Sequence, residues 1–546
     1  MVFQPKVEKG EYMYIDAIFD RKSDQIYVIE RRNGIREIVT YPAKYTFYYD
    51  DPKGKHRSLY GNPVTRVVCK NTKTFQKEKR FLSNKTLYES DINPINQCLH
   101  ENYLHAPIPR PNVCFWDIET AFCPTRGFSS PSDPFAPITA ITLYQQWCDR
   151  LITLAVPPET LSYSQARAQC IEWGEDVLLF KNETDMLCSF LEYIEDADIL
   201  SGWNCSMYDI PYTVNRITQL LGKTETRKMC LWGRVPKSRT FERFGKEQKT
   251  YDLCGRVNID YLDLYKKYTY EERSSYKLDS IGELEVNERK TPYEGTLDNL
   301  YKNDFKLFIT YNRQDVKLID KLDRKYEYIS LTVRTAHENT VLIPATMGSV
   351  AVIEQAIINE AHERGLVVPD SKSHDETRMA GGYVGKPRKG IHDWIGSIDL
   401  NSLYPSTIRA LNMSPETVIG QIRQSRTQEY IESVIEKGNS FTQAWDEKFA
   451  CIEYEYVMDE RNDQILTIDW ENGISQELSG AEIYQMIFNS NKPYMLSANG
   501  TIFTTDTKGV IPELLAKWYS ERKLMQKQKK NWIKLLEGIQ IPGDMQ

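Results

Sequence analysis

A chain of 546 residues that is 41% hydrophobic, 12% aromatic and 27% charged has a globular composition, which excludes a disordered or fibrous protein. At roughly 150 residues per domain it predicts about three or four domains. A formal net charge of -7 and a pI near 5.8 exclude a basic coat for nucleic acid, so DNA contact has to come from local basic patches and metal ions. Eleven scattered cysteines with no C-x-x-C pair, and seven dispersed histidines, exclude a zinc cluster and a disulfide scaffold. The N-terminal residues lack an apolar signal core, and no run approaches the roughly 20 apolar residues of a membrane helix. These features predict a soluble, cytoplasmic protein.

Residues 1 to about 107 read as short strands and turns. YMYIDAIFD and QIYVIERRNGIREIVTYPA alternate apolar and polar residues, with Asn33-Gly34 as a hairpin turn. Three alternating prolines between His105 and Pro111 predict an extended linker and a domain boundary. Beyond it, NVCFWDIET is a predicted strand, ETDMLCSFLEYIEDA an amphipathic helix and DADILSGWN a second strand and turn. Residues 300–331 read as one long helical segment. Gly381-Gly382, Pro387 and Gly390 mark another boundary. GIHDWIGSIDLNSLYPSTIRAL then reads as strand, turn and helix, and residues 509–538 as a long final helix.

Three groups of residues carry chemistry. Asp117 and Glu119 lie two apart on a strand, so both carboxylates point to one face, with Trp116, Ile118 and Thr120 on the other. A divalent cation relieves the repulsion between such anions through hard oxygen ligands. Asp209 stands where a helix should begin, two residues before Pro211, a place that equally suits an N-cap. Tyr311 and Asp315 are four apart on a helix and share a face.

Taken together, D-x-E, then N-x-x-x-Y-D, then Y-x-x-x-D resembles the three exonuclease motifs of proofreading nucleases. The resemblance implies that Asp117, Glu119, Asp209 and Asp315 hold two metal ions and that Tyr311 orients the attacking water. GSIDLNSLYPST resembles the first palm motif of family B DNA polymerases, D-x-x-S-L-Y-P-S. It implies that Asp399 binds catalytic metals and the Leu400 carbonyl assists. The amides of Ser402, Leu403 and Tyr404 would hold the incoming triphosphate, with Tyr404 excluding a 2′-hydroxyl. MAGGYVGKPRKG resembles the glycine–tyrosine motif between nuclease and polymerase, which implies template contacts by Gly381, Gly382 and Tyr383. Lys386, Arg388 and Lys389 would reach phosphates. ERKLMQKQKK resembles the first fingers helix, with Arg522 on the triphosphate and Lys523, Lys527 and Lys530 forming a cationic stripe. Residues 233–253, with Gly245 at the turn and basic Arg234, Lys237, Arg239, Arg243 and Lys246, would form a hairpin that separates primer from template.

IDYLDLYKKY, KTPYEGTLDNLY and ALNMSPET resemble the replicative polymerases of T-even-type tailed phages. The fold class implied is α/β multidomain, in four parts. Residues 1–107 and 341–378 form a mixed β N-terminal domain, and 108–340 an RNase H-like 3′-5′ exonuclease. Residues 379–505 form part of a palm, and 506–546 the first fingers helix. The family's second palm motif, Y-G-D-T-D-S, and second fingers motif, K-x-x-x-N-S-x-Y-G, do not occur. One palm aspartate cannot hold two ions for nucleotidyl transfer.

The chain alone is therefore expected not to polymerise. It is read as a naturally split enzyme whose separate C-terminal half completes the palm, with a fragment of a longer chain as the other explanation. The expected partners are primer-template and single-stranded DNA, dNTP, that C-terminal half, and a sliding clamp with other replication proteins. The expected cofactor is two Mg²⁺ per active site, or Mn²⁺ on the same oxygen ligands. Two other readings stay open: a free-standing exonuclease with a vestigial palm, and a non-catalytic scaffold at primer ends.

Overall fold

The computed structural model describes residues 12–108, 110–243, 246–371, 387–422, 436–437, 460–497 and 499–537. They fall into two compact units. The first lies within Met1–Thr46, Val68–Arg80 and Ile92–Ala356, and the second within Phe47–Val67, Phe81–Asp91 and Ile357–Gln546. This division does not follow the boundaries expected near residues 107 and 340.

The described residues begin with the antiparallel strands β1 (Tyr12–Asp20), β2 (Gln25–Arg32) and β3 (Ile35–Pro42). Asn33 and Gly34 join β2 to β3 with φ of 48° and 79°, the two left-handed residues of a tight hairpin. Next come β4 (Tyr45–Asp50), β5 (His56–Ser58), β6 (Pro63–Cys69), helix α1 (Thr72–Phe81), β7 (Leu87–Tyr88) and helix α2 (Pro94–Tyr103). The two helices correct the expectation of strands and turns alone. Asn93 caps α2 by accepting from the Ile95 amide, with Pro94 inside the first turn, and the helix buries Cys98, Leu99 and Tyr103. Helix α1 buries no residue.

A six-stranded sheet dominates the first unit, in the order β11-β10-β9-β8-β12-β15. Its strands are β8 (Val113–Thr120), β9 (Ile138–Gln145), β10 (Arg150–Ala155), β11 (Val177–Leu179), β12 (Ile199–Gly202) and β15 (Val257–Asp260). β9 runs antiparallel to both β8 and β10, and β12 runs parallel to β8 and β15. Between these strands lie α3 (Tyr163–Gln169), α4 (Glu183–Tyr193), α5 (Asp209–Leu220), α6 (Gly222–Thr226) and the hairpin β13 (Lys237–Arg243) and β14 (Lys246–Asp252). The predicted turn residue Gly245 lies outside the described residues.

After the sheet come α7 (Tyr261–Tyr268), α8 (Leu278–Val286), α9 (Leu297–Asn303), α10 (Phe305–Tyr326) and α11 (Tyr328–Glu338). The single helix expected over 300–331 is thus three. Asp304 leaves helical geometry and caps α10 by accepting from the Leu307 amide at 3.0 Å. Glu327 adopts φ of 54°, which ends α10 before α11 begins. The apolar spacing runs through both breaks and hides them.

The strand period of two sorts β8 between two cores. Cys114, Trp116 and Ile118 pack with Met186, Phe190 and Ile210 of α4 and α5. Val113 and Phe115 pack on the other face with residues of α7, α8 and α10. The first sheet is tied to this assembly by Tyr14, whose hydroxyl donates to the Ala336 carbonyl at 2.8 Å. Arg31 adds a buried ion pair to Asp198 at 2.6 Å.

In the second unit, β5, β6, β4 and β7 form a sheet with β16 (Leu366–Val367), which follows α12 (Ser349–Glu363) and pairs in parallel with β5. Helix α13 (Leu403–Ala410) precedes an antiparallel sheet. Its strands are β17 (Val418–Ile422), β18 (Ile465–Trp470), β19 (Ser475–Ser479), β20 (Tyr494–Leu496) and β21 (Thr501–Thr504), with α14 (Gly480–Tyr484) between β19 and β20. Helix α15 (Val510–Glu537) follows. The strand expected over 391–400 is absent: these residues are described and exposed, and none pairs with a neighbouring strand. A β ladder needs a partner to take its amides and carbonyls, and no described segment supplies one. No helix among the described residues is long and apolar enough to cross a membrane.

Candidate active site

Asp117 and Glu119 continue the face of β8 that carries Val113 and Phe115, the face packed against α10. Helix α10 supplies Tyr311 and Asp315, one turn apart. One carboxylate oxygen from each of Asp117, Glu119 and Asp315 lies within 4.8 Å of the other two. Asp209 stands beside them, 5% exposed, and its Oδ1 accepts from the Ile118 amide at 3.2 Å. It is the first residue of α5 and not its N-cap, which is Tyr208. The structure thus gathers three of the four predicted acids into one oxygen cluster and hydrogen-bonds the fourth to the strand between two of them.

Burial raises every one of these carboxylates. Asp117 is held well above the usual carboxylate range by burial and then by Asp209, Glu119 and Asp315. Burial, followed by Asp315, pushes Glu119 up to about 8. Asp209 rises to about 7 through burial, against the opposing Ile118 amide. Asp315 rises to about 6 because burial outweighs the neighbouring Lys290.

Lys290 is the site residue that motif spacing does not reveal. Its Nζ donates to Asp315 Oδ2 at 2.5 Å and to the Tyr311 hydroxyl at 3.1 Å. Burial works against the ammonium, yet Asp315, Tyr311 and Asp117 raise its pKa overall. Lys290 lies outside all three motifs. Its backbone amide is fixed by Asp279 of α8 at 2.9 Å, a contact that only the tertiary fold creates.

The residues suit a divalent cation. Three hard oxygen donors converge, and the buried Oδ1 of Asp315 has no hydrogen-bond partner.

The residues predicted for nucleotide binding are placed differently. Asp399, Leu400 and Tyr404 are exposed, and Asp399 belongs to no cluster of three or more acidic, histidine or cysteine side chains among the described residues. Ser402 adopts φ of 54° immediately before α13, so Leu403 and Tyr404 are that helix's first two residues. Amides in a first turn lack intrahelical acceptors. Arg522 is exposed on α15. The α13 and α15 helices meet through Arg409, whose guanidinium lies 4.9 Å from the Tyr519 ring. The 412–416 loop caps the start of α15: Asn412 Oδ1 accepts from the Gly509 amide at 3.0 Å and Glu416 Oε1 from Val510 at 2.6 Å. Arg388 is exposed, while Gly381, Gly382, Tyr383 and Lys386 lie outside the described residues. In the hairpin, Arg239 is paired with Asp252 at 3.2 Å.

Comparison with known sequences matches residues 67–281 to the exonuclease domain of DNA polymerase family B and residues 344–537 to DNA polymerase family B itself. The chain belongs to DNA polymerase family B. Within this family B chain, Asp117, Glu119 and Asp209 fall in the first matched stretch, and Asp399 and Arg522 in the second. Lys290, Tyr311 and Asp315 fall between the two, and it is the fold that brings them to the cluster.

The chain is 28% identical over 447 residues to a DNA-directed DNA polymerase of Escherichia phage RB69, a match covering 77% of this chain and 48% of the relative. It is 28% identical over 320 residues to that of Enterobacteria phage T4, covering 56% and 35%. A DNA polymerase delta catalytic subunit of Plasmodium falciparum is 26% identical over 382 residues, covering 65% and 33%. The chain spans at most about half the length of these relatives.

Proposed function

We propose that this family B chain removes nucleotides from the 3′ end of DNA as the proofreading part of a replicative DNA-directed DNA polymerase. The observation that carries this reading is the convergence of one carboxylate oxygen from each of Asp117, Glu119 and Asp315 to within 4.8 Å of one another. These three, with Asp209, would hold two divalent ions, Mg²⁺ or Mn²⁺ on the same ligands. Such ions, when bound, lower the pKa of water and screen the charge of the scissile phosphodiester. Tyr311 orients the attacking water through its hydroxyl, and the Lys290 ammonium stabilises negative charge that grows on the phosphate oxygens.

We assign residues 108–340 to the exonuclease, 1–107 with 341–378 to the N-terminal domain, 379–505 to part of the palm and 506–546 to the first fingers helix. The pairing of Leu366–Val367 with β5 supports the return of the chain to its N-terminal strands. In the palm, Asp399 would bind catalytic metal, with the Leu400 carbonyl assisting. The amides of Ser402, Leu403 and Tyr404, with Arg522, would hold the dNTP triphosphate. Gly381, Gly382, Tyr383, Lys386 and Arg388 would contact template DNA. Because no Y-G-D-T-D-S motif occurs, the second palm carboxylate has to come from outside this sequence, as a separate C-terminal chain or a further segment. A sliding clamp and other replication proteins complete the proposed partners.

The test is a 5′-labelled primer on a longer template, incubated with Mg²⁺, all four nucleotides and the chain, with Asp117→Ala as control. Shortening that the variant loses supports the reading. Lengthening would overturn the argument for a missing carboxylate, and an unchanged primer would favour a non-catalytic scaffold.

A further inference from the structure

A row of polar side chains crosses the nuclease sheet where an apolar core is expected. In register, Asp117 on β8 faces Thr142 on β9, and Thr142 faces Thr153 on β10. Residues opposite one another on adjacent strands share a sheet face. Thr142, Thr153 and, above them on α10, Asn312 are each fully buried. Strand β9 is buried along its whole length, so two threonines in it and its neighbour carry a desolvation cost unless they are hydrogen-bonded.

The bonds they make run in one direction. Ionised, as a metal ligand has to be, Asp117 can only accept, so the nitrogen of the Asn312 amide faces it, and Nδ2 donates to Asp117 Oδ2 at 2.8 Å. Asn312 Oδ1 therefore faces away and accepts from the Thr142 hydroxyl at 2.5 Å. Thr142 has spent its one proton, so in its 2.9 Å contact with Thr153 it is the acceptor. Thr153 in turn accepts from Arg313 Nη1 at 3.2 Å, and Arg313 is itself 6% exposed. The chain begins at a buried guanidinium and ends on one oxygen of Asp117.

We infer that Asn312 is a positioning residue for Asp117, and that Thr142 and Thr153 fix the orientation of its amide. Tying one carboxylate oxygen holds the plane of the group, so that Asp117 meets a divalent ion without reorganisation. Hydrogen-bond partners behind metal-ligating carboxylates act in this way. The inference rests on the proposal that Asp117 is a metal ligand. It adds that α10 serves the site through consecutive residues facing two ways. Tyr311 and Asp315 point to the cluster, while Asn312 and Arg313 reach the sheet behind it.

The test measures Mn²⁺ binding to the whole chain, by electron paramagnetic resonance of the free ion and by titration calorimetry, alongside thermal unfolding. Asn312→Ala should weaken Mn²⁺ binding roughly tenfold. Thr142→Val, which keeps the side-chain shape but loses the donor, should weaken it in the same direction. Thr142→Ser, which restores the hydroxyl, should bind as the unaltered protein does. The double variant Asn312→Ala/Thr142→Val should bind no more weakly than Asn312→Ala alone. Should Asn312→Ala not fold, the Val and Ser pair at 142 carries the comparison. Equal binding by the Val variant, the Ser variant and the unaltered protein, with binding lost in Asp117→Asn, would overturn the positioning role and leave the metal reading intact. Unchanged binding in Asp117→Asn would overturn both.

Discussion

Asp117, Glu119 and Asp315 on one side and Asp399 on the other are the acids proposed to meet a metal, and the fold treats them in opposite ways. Asp117, Glu119 and Asp315 are carried by a central strand and a packed helix, and their oxygens meet inside the protein. Asp399 lies on a described stretch with no regular structure, next to Ile398 at 94% exposure and five residues after Trp394 at 100%. A site is complete in itself when the elements that carry it are both packed. Strand β8 has Trp116 and Ile118 in one core and Phe115 in another, whereas Ile398 and Leu400, which flank Asp399, are exposed.

This contrast gives graded ways to break it. The largest effect is expected from Asp315→Ala. Losing a ligand that supports several kcal/mol of charge stabilisation should cut primer shortening by roughly 10³-fold or more. Asp399→Ala should leave the same rate within about twofold, since Asp399 has no place in the nuclease cluster. Gel-resolved primer lengths measure both, and equal losses would erase the distinction.

Lys290→Ala should lower the nuclease rate by roughly 10²-fold, the usual size for losing one preorganised charge stabiliser. Lys290→Arg should recover only part of it, because a guanidinium does not reproduce the geometry of an ammonium. A rate unchanged by Lys290→Ala would reduce the lysine to a counterion of the metal-free protein.

Stability separates the two regions as well. Trp116→Ala removes a fully buried indole and should cost about 3–5 kcal/mol in denaturant unfolding. Trp394→Ala, at full exposure, should change stability by less than about 0.5 kcal/mol.

The smallest effect is pH-dependent. Between pH 6.5 and 8 the folded protein keeps protons on Glu119 and Asp209, pushed up to about 8 and about 7, that the unfolded chain has already released. The folded state then binds more protons, so stability falls as pH rises through this window. Buried His337, held down at about 4, contributes in the opposite sense only below about pH 6.5. In chelator, the unfolding midpoint should drop from pH 6.5 to 8, more shallowly in Asp209→Asn, and Mn²⁺ should raise it most at pH 8. A rising or flat midpoint would contradict the burial of these carboxylates.

The site was legible where its residues sit at fixed spacing on one element. The alternation of β8 puts Asp117 and Glu119 on one face, and the four-residue step places Tyr311 beside Asp315. It was not legible where chain-distant segments meet. Lys290 reaches Asp315 from 25 residues upstream, and Asn312 reaches Asp117 across 195. Asp209 looked like an N-cap because Asp before Pro fits one, and only the 3.2 Å bond to Ile118 gives it another task. The breaks at Asp304 and Glu327 were masked by apolar spacing that continues through them. The segment 391–400 has strand-like composition but no strand beside it, and composition cannot report a missing neighbour.

The most direct test of the central claim is a crystal of the whole chain soaked in Mn²⁺, with anomalous scattering recorded at the manganese edge. An anomalous peak among Asp117, Glu119 and Asp315, with the Lys290 ammonium displaced from Asp315 Oδ2, is the predicted result. An empty cluster that keeps its Lys290–Asp315 ion pair, while manganese sits elsewhere, would contradict it.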